Sequence, residues 1–239
     1  MNNLVIGGLV YNEANKFLQQ WLEKCKLLTD KIVIVDDGST DNSVEICSKY
    51  TSYISLTSRL MTIDENRLRT ILWNECVKLC KNGDYILIID NDELLTDNSI
   101  AYFEEALYTC DKFGGDSIAH IKYDMWNKTQ YRDDKNWYAH KHWWIWTVKY
   151  NSTINYIRDG RKFHSGVLPI NAYYCALPTK LQVQHMAYST LELRQEKAKF
   201  YGTLDPDGKY AGGTDQYKSI LDENPHLVDF VDNFEVPHE

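Results

Sequence analysis

The sequence lacks any long apolar segment. Its longest apolar run, from Leu4 to Tyr11, is far shorter than the ~20 residues that a helix needs to cross a bilayer. No basic segment precedes this run and no small-residue cleavage site follows it, which argues against a signal peptide. We therefore expect the run to form a first β-strand and the chain to have no transmembrane segment.

The cysteines lack any metal-binding spacing. The chain has six cysteines among 239 residues, and no two of them form a C-x-x-C pair. Cys76 and Cys80 lie one helical turn apart without further ligands nearby in the sequence, which is typical of a packed helix face. Scattered thiols in a chain of this length favour a reducing compartment, so we expect a cytoplasmic protein.

Basic residues do not outnumber acidic ones in this sequence. Lys and Arg number 26 against 34 Asp and Glu, which gives a net charge of -8 and argues against a nucleic-acid partner. A dinucleotide-binding fingerprint is absent too, because Gly7-Gly8 lies inside the first apolar run and no G-x-G-x-x-G follows. An anionic ligand would therefore need local neutralisation by a metal, a few cationic side chains or helix N-termini.

The first ~110 residues alternate between strand and helix patterns. This alternation predicts a mostly parallel α/β sheet with helices on both faces and a ligand crevice beyond the carboxyl ends of the strands. The predicted strands are Leu4–Val10, Lys31–Val35, Tyr53–Thr57 and Tyr85–Ile89, and the predicted helices are Ala14–Leu28, Ser43–Tyr50 and one whose apolar face runs from Leu68 to Leu79.

The pattern changes after Asp116. Aromatic residues become frequent and alternate along the chain, which indicates antiparallel strands, and a helical pattern returns from Thr190. No linker or repeat separates the two parts. We therefore predict one domain, with a nucleotide-binding half at residues 1–112 and a smaller acceptor half with C-terminal helices at residues 113–239.

Three polar clusters follow predicted strands. The first is Asp90-Asn91-Asp92-Glu93, whose carboxylates at i and i+2 can meet one hard cation and so clamp a phosphate, although a lone D-x-D more often caps a helix. The other two begin at Tyr11-Asn12-Glu13 and at Asp36-Asp37. Their amide and carboxylate groups can hydrogen-bond a base or a ribose, or else simply start a helix and form a solvated turn.

Together, in this order, the three clusters resemble the family 2 glycosyltransferases of the GT-A fold, in particular their metal-dependent members. The resemblance covers the first ~110 residues well and continues at Gln184-His185, which is similar to the family's terminal histidine segment. It implies transfer of a sugar from a UDP- or dTDP-linked donor to an acceptor hydroxyl, with Mn²⁺ or Mg²⁺ and with inversion at the sugar. The implied acceptor is a glycan, glycolipid or protein, as in polysaccharide biosynthesis, and peripheral membrane contact is left open.

The resemblance also implies roles for individual residues. Asp92 and His185 would hold the metal, with Asp90 at the metal or the ribose, although a lone histidine after an apolar strand is otherwise more often a core residue. Arg69 is the nearest substitute for an arginine that the family often carries before D-x-D. The residues implied at the nucleotide sugar are Tyr11, Asn12, Glu13, Asp36, Asp37, Arg69, Asp90 and Asn91.

The acceptor half offers fewer signals. We predict Asp134 as the catalytic base, because Tyr131 to Trp137 resembles a Y-R-x-D-x-x-W pattern of related transferases, whereas a solvated hairpin carboxylate is the alternative. His164 either lines the acceptor or diphosphate pocket or has a structural role. The run Trp143-Trp144-Ile145-Trp146 belongs either to the core or to a sugar platform, since three tryptophans in one strand cannot all face one ligand.

Two other functions remain open at this point. Asp90 and Asp92 also match the nucleophile and acid of a haloacid-dehalogenase-like phosphatase, but Leu94 stands where that motif has Thr or Val, and the motif normally follows the first strand. The second alternative is a catalytically inactive nucleotide-sugar-binding module. UDP should stabilise the transferase strongly only with Mn²⁺, whereas the phosphatase should prefer Mg²⁺ and ignore UDP.

Overall fold

The computed structural model describes residues 3–60, 64–209 and 213–233. Its main feature is an eight-stranded mixed sheet with the strand order β3-β2-β1-β4-β8-β6-β9-β5. These strands are β1 (Leu4–Val10), β2 (Ile32–Asp36), β3 (Tyr53–Leu56), β4 (Tyr85–Ile88), β5 (Glu93–Leu95), β6 (Ser117–Asp124), β8 (Trp143–Lys149) and β9 (Ala176–His185), while β7 (Gln130–Arg132) and β10 (Leu227–Asp229) form a separate antiparallel pair.

Six α-helices accompany the strands in the described residues. They are α1 (Leu18–Leu28), α2 (Ser43–Ser48), α3 (Glu65–Lys78), α4 (Asp97–Lys112), α5 (Leu191–Leu204) and α6 (Asp215–Ser219). Three of them begin with a side-chain cap, in which Asp64, Thr96 or Thr190 accepts a hydrogen bond from a backbone N–H three residues later. Among the described residues, no helix combines the length and the apolar character that a membrane span requires.

The first half of the sheet confirms the predicted parallel arrangement. Strand β1 pairs in parallel with β2 and β4, and β2 pairs in parallel with β3. The predicted strand bounds hold to within one residue. The first helix was predicted to begin at Ala14 but begins at Leu18, because residues 14–17 form turns after Asn12, whose φ of +52° redirects the chain.

The second half extends the same sheet. Strand β8 pairs antiparallel with both β4 and β6, which agrees with the predicted antiparallel strands. Strand β9 pairs in parallel with β6 and antiparallel with β5, a pairing that the alternation in the sequence does not reveal. The strands of the second half therefore continue the sheet of the first half, and the ends of β6 and β9 lie near the D-x-D segment between β4 and β5.

Two glycines let helices pack tightly on both faces of β1. A Cβ atom at Gly7 would lie 2.7 Å from Cys76 Sγ of α3, and one at Gly8 would lie 2.7 Å from the ring of Trp21 of α1. Such distances leave no room for a side chain, so the two glycines set the spacing between the sheet and its helices. Cys76 is buried in the core, as its helical spacing predicted, and all six cysteines are free thiols.

Candidate functional site

Two cavities adjoin at the carboxyl ends of the parallel strands. The smaller, about 410 Å³, opens beyond β1 and β2, and the larger, about 700 Å³, opens beyond β4 and β8. Both volumes suit small-molecule ligands. The residues that line both cavities are Glu65, Asp92, Lys197 and Phe200, so a ligand that extended from one cavity into the other would pass Asp92.

The two aspartates at the end of β2 have separate positions. Asp36 is buried, and its Oδ2 accepts hydrogen bonds from the backbone N–H groups of Gly38 at 3.0 Å and Ser39 at 2.9 Å. It therefore holds the turn, in which Gly38 has a φ of +76°, and it is not among the residues that line the smaller cavity. Asp37 does line that cavity, so the pair supplies one structural and one available carboxylate.

Asp37 is held by two arginines. Arg59 Nη1 lies 2.8 Å from Asp37 Oδ2, and Arg67 Nη2 lies 3.3 Å from Asp37 Oδ1. The guanidinium of Arg59 also lies over the ring of Tyr11, 3.4 Å from its centroid. This edge of the cavity thus combines a flat aromatic–guanidinium wall with a hydrogen-bond acceptor. Arg59 is a residue that the sequence analysis missed, and nothing in its local pattern marks it.

Asn12 and Glu13 connect the end of β1 to the neighbouring turn. Asn12 Oδ1 accepts from Thr40 N at 2.8 Å, and the backbone N–H of Glu13 donates to Ser43 Oγ at 2.8 Å. Both residues line the smaller cavity. Burial raises the pKa of Glu13 to about 7, and the nearby Lys16 only partly opposes this effect. Glu13 therefore changes its charge near neutral pH.

The D-x-D segment is held from two sides. Arg69, buried on α3, forms a bidentate ion pair with Asp90 through contacts of 2.7 and 2.8 Å. Asn91 donates from Nδ2 to the carbonyl oxygen of Leu9 at 2.8 Å, which ties the segment to β1. The structure therefore pairs Arg69 with the Asp90 carboxylate, and the contact between Arg69 and a nucleotide sugar that the family resemblance implied stays a prediction.

Asp92 lies between two cationic or basic side chains. Its Oδ2 is 3.4 Å from Lys197 Nζ of α5 and 3.9 Å from His185 Nε2 at the end of β9. Burial raises the pKa of Asp92, but Lys197 and His185 outweigh burial and lower this pKa to about 2. Asp92 is therefore ionised at neutral pH. Lys197 was not among the predicted site residues, because an isolated lysine in a helical pattern usually faces solvent.

His185 is oriented by a buried carboxylate. Asp124 lies opposite His185 in the parallel register of β6 and β9, and His185 Nδ1 donates to Asp124 Oδ1 at 2.7 Å. Burial raises the pKa of Asp124, but the hydrogen bond from His185 and the nearby charges of Lys122, His185 and His140 together outweigh burial and keep this pKa below its ordinary value. With the proton on Nδ1, the lone pair of a neutral ring is on Nε2, the nitrogen nearer to Asp92.

The donor set suits an open metal site. Asp92 and His185 present a carboxylate oxygen and an imidazole nitrogen close together, and both are suitable ligands of Mn²⁺. Within the described part of the chain, no cluster of three or more His, Cys, Asp or Glu side chains is arranged to enclose a metal. The residues therefore fit a metal that completes its coordination with oxygens of a substrate and water, rather than a closed structural site.

Asp134 lies apart from both cavities. Its Oδ2 accepts from Nε of Arg132, its Oδ1 accepts from the backbone N–H of Asn136 at 2.9 Å, and it is not among the residues that line either cavity. Arg132 in turn lies over the rings of Trp126 and Trp137. The proposed role of Asp134 as a base stays a prediction.

The tryptophan run divides between core and cavity. Trp146 is buried in the hydrophobic core, whereas Trp143 is 41% exposed. Trp144 stacks on Trp146 with ring centroids 6.3 Å apart, and Lys122 Nζ lies 4.2 Å from the centroid of its ring. All three tryptophans contribute to the wall of the larger cavity. The run is therefore part core and part cavity wall.

A family model of glycosyl transferase family 2 matches residues 9–170, which include both the Asp36-Asp37 turn and the D-x-D segment. The chain belongs to glycosyl transferase family 2. The match ends before His185, so the assignment of the terminal histidine rests on the geometry described above. This family membership favours the transferase prediction over the phosphatase.

Individual relatives are more distant. Glycosyltransferase GlyG of Streptococcus pneumoniae is 31% identical over 112 residues, which cover 41% of this chain and 32% of the relative. A second relative, the uncharacterized glycosyltransferase MG060 homolog of Mycoplasma pneumoniae, is 23% identical over 94 residues, 39% of this chain and 30% of the relative. The matched region thus spans about a third of the length of these curated relatives.

The crystal structure of S. aureus TarS 1-349 shares the fold. It superimposes with a TM-score of 0.50 at 15% sequence identity and covers 92% of this chain and 69% of TarS 1-349. The expected GT-A architecture, a mostly parallel α/β sheet extended by antiparallel strands, is thereby confirmed.

Proposed function

We propose that the chain transfers a sugar from a UDP-sugar to an acceptor hydroxyl with the help of Mn²⁺, or of Mg²⁺ in its place. The observation that carries the proposal is the position of Asp92, which lines both cavities and lies close to His185 and Lys197. The scissile bond of a nucleotide sugar lies next to its diphosphate. A donor whose diphosphate sits at Asp92 would place its nucleoside in the smaller cavity and its sugar in the larger one.

The smaller cavity suits a pyrimidine nucleoside. Asp37 offers a carboxylate oxygen that can accept from the ring N–H of uracil, and Tyr11 offers a flat surface beside it. The ring N–H of thymine is the same donor, so a dTDP-sugar is the second candidate. Asn12 and Glu13, which line the same cavity, would hydrogen-bond the ribose hydroxyls.

The diphosphate needs positive charge in a chain of net charge -8. Lys197 supplies one cation, and a metal held by Asp92 and His185 would supply the larger one, stabilising the leaving diphosphate by several kcal/mol. Arg69 does not add to this charge, because its guanidinium is neutralised by Asp90. Lys197 and the metal ligands thus act on the leaving group, while Arg69 positions the D-x-D segment.

The larger cavity is proposed to hold the transferred sugar and the acceptor. Its wall includes the exposed ring of Trp143 and the half-buried ring of Trp144, on which sugar faces can stack. Direct displacement by the acceptor hydroxyl would invert the sugar and require a base on that side. A glycan, glycolipid or protein acceptor is compatible with a cavity of this size.

The first test is metal-dependent donor binding. Asp92→Asn should abolish the Mn²⁺-dependent part of UDP affinity, and His185→Ala should weaken it about 10–100-fold, both measured by calorimetric titration. Asp30→Asn is the matched control, because Asp30 is exposed and pairs only with Lys26 in the described residues. Unchanged Mn²⁺-dependent affinity in Asp92→Asn would contradict the proposed metal site.

The second test is a donor-hydrolysis screen. The protein with Mn²⁺ is incubated with a panel of UDP- and dTDP-sugars, and released nucleotide is measured without any added acceptor. Slow hydrolysis of one donor supports a transferase. Tight UDP–Mn²⁺ binding with no hydrolysis of any donor supports an inactive binding module instead, and Mg²⁺-dependent phosphate release without UDP binding supports a phosphatase.

A further inference from the structure

His164 has an unusual backbone conformation in a loop beside the larger cavity. Its φ of +51° is one of two positive φ angles among the described residues other than glycine, and such a conformation persists only when the surroundings hold it. Here the loop is tied to the first turn of α3. Glu65 N donates to Lys162 O at 2.9 Å, and Ser165 N donates to Glu65 Oε2 at 3.0 Å.

The hydrogen bonds of His164 determine which ring nitrogen carries the proton. The Tyr217 hydroxyl donates to Asp205 Oδ2 at 3.0 Å, so the Tyr217 oxygen must act as the acceptor in its 2.8 Å contact with His164 Nε2. The proton of a neutral His164 ring is therefore on Nε2, and its lone pair is on Nδ1. The ring is held in this position by stacking on Tyr201, at a centroid distance of 5.7 Å.

The Nδ1 atom is available to a molecule in the larger cavity. Among the described residues, no side chain or backbone group hydrogen-bonds to it, and it is not one of the fully buried, unpartnered atoms. His164 lines the larger cavity together with Asp92 and Lys197. The ring nitrogen without a partner thus belongs to a residue that lines the cavity assigned above to the transferred sugar and the acceptor.

We propose that His164 is the general base of the transfer reaction, an inference that rests on the proposed function. Nδ1 takes the proton of the acceptor hydroxyl while the hydroxyl oxygen forms its bond to the anomeric carbon. The bond between that carbon and the diphosphate oxygen breaks, and its electron pair leaves with the nucleoside diphosphate. The proton remains on His164 until it passes to solvent.

Tyr217 and Asp205 act as positioning residues. When Nδ1 gains a proton, the ring becomes positive, and the chain from Nε2–H through the Tyr217 hydroxyl to the buried Asp205 carboxylate stabilises that charge. A water molecule in place of Tyr217 could not maintain the orientation of the ring as firmly. The arrangement holds the imidazole in one tautomer and leaves its reactive nitrogen uncovered.

The surroundings of His164 keep it in the basic form. Burial lowers its pKa, Asp205 opposes this effect, and Arg161 and Lys197 add to it, so the net shift is downward. The Tyr217 hydroxyl, which contacts the ring, is neutral at pH 7, because burial raises its pKa above the ordinary value. The ring is therefore unprotonated at neutral pH, as a base must be.

The test uses water as the acceptor, since hydrolysis of a UDP-sugar needs the same proton removal. With Mn²⁺ and the best donor of the screen, His164→Gln should lower hydrolysis by about 10²-fold or more while UDP–Mn²⁺ affinity stays within twofold. The acidic limb of the wild-type pH profile should disappear in the variant. In His164→Ala, added imidazole should restore part of the lost activity, because the cavity has room for it.

Tyr217→Phe separates positioning from mere structural support. It removes the hydroxyl between Nε2 and Asp205, so we expect about a tenfold lower kcat at nearly unchanged KM and a shifted acidic limb. Tyr174→Phe is the matched control, because Tyr174 is 77% exposed and should leave the profile unchanged.

Three results overturn the proposal. Hydrolysis by His164→Gln within a few-fold of wild type, with the acidic limb intact, excludes His164 as the base and leaves the proposed function standing. Loss of activity in Asp134→Asn but not in His164→Gln assigns the base to Asp134. A wild-type protein that neither binds UDP with Mn²⁺ nor hydrolyses any donor removes the proposed function and this inference together.

Discussion

At the residue scale, two acids in one cavity have opposite protonation behaviour. Asp92 and Glu13 both line the smaller cavity and both lose hydration there. Asp92 has Lys197 and His185 beside it, and its pKa falls to about 2. Glu13 has only partial compensation from Lys16, and its pKa rises to about 7. Of these two acids, Asp92 keeps its negative charge for a cation at neutral pH, and Glu13 responds to pH.

The raised pKa of Glu13 predicts a pH-dependent stability. Because the folded state binds this proton more tightly than the unfolded state, the associated stabilisation is complete below the unfolded pKa of about 4.5 and is lost as the pH rises through about 7. Gln cannot ionise. From pH 5 to pH 8, the free energy of unfolding should therefore decrease more in wild type than in Glu13→Gln. The difference between the two decreases should be about 1–3 kcal/mol.

Urea unfolding at the two pH values measures this difference. Glu45→Gln is the control, since Glu45 is exposed on α2 and pairs with Lys49. Identical pH dependence in Glu13→Gln and wild type would show that Glu13 keeps its ordinary pKa in the folded protein.

At the element scale, helix α5 contributes to the candidate site chiefly through the side chain of Lys197. It has no fully buried residue, yet it brings Lys197 to Asp92 and places Phe200 and Tyr201 beside the larger cavity. A helix with so little buried surface depends on its N-terminal cap for local stability. Thr190 is this cap, because its side chain accepts a hydrogen bond from Leu193 N at 3.2 Å.

Thr190→Ala should therefore affect ligand binding as well as stability. Loss of the cap costs about 1 kcal/mol, and looser attachment of α5 should weaken metal-dependent UDP affinity several-fold. Thr96→Ala is the matched control. Thr96 caps α4 by accepting a hydrogen bond from Ser99 N at 3.1 Å, and α4 does not contribute to either cavity.

Calorimetry on the two variants distinguishes the effects. Both should melt at lower temperature than wild type, and only Thr190→Ala should bind UDP and Mn²⁺ more weakly. Equal UDP affinity in the two variants would mean that the position of Lys197 does not depend on the start of α5.

At the scale of the whole molecule, the site joins distant parts of the chain. The ends of β1 and β2 form the proposed nucleoside side, the D-x-D segment follows β4, and β9 and α5 supply His185 and Lys197. A ligand bound across these parts stabilises the folded state without stabilising the unfolded chain. Its effect should therefore appear as cooperative stabilisation of the entire domain.

Thermal unfolding with ligand tests this coupling. At UDP concentrations about 100 times the Kd, in the presence of Mn²⁺, the stabilisation is about 2.7 kcal/mol, which corresponds to a rise in Tm of roughly 5–11 °C for a chain of this size. UDP alone or Mn²⁺ alone should shift the Tm far less, and EDTA should reverse the combined effect. Equal shifts with and without Mn²⁺ would contradict metal-assisted binding.

Much of the fold and part of the site follow from local sequence patterns. The strand β1, the turn at Asp36-Asp37 and the D-x-D segment after β4 were all predictable, because apolar periodicity and turn-forming residues act over a few positions. Parallel strands then place their carboxyl ends at one edge of the sheet. This topology explains why three clusters far apart in sequence line adjoining cavities.

Only the tertiary structure decided which partners the functional side chains have. Asp124 and His185 are 61 residues apart and meet through the parallel register of β6 and β9. Lys197 reaches Asp92 across 105 residues, and His164 reaches Tyr217 across 53. Local patterns contain no information about such contacts, because an isolated Lys, His or Asp has the same neighbours in sequence whether it faces solvent or a site. The pairing of strands and the docking of α5 and α6 determine which of these residues meet.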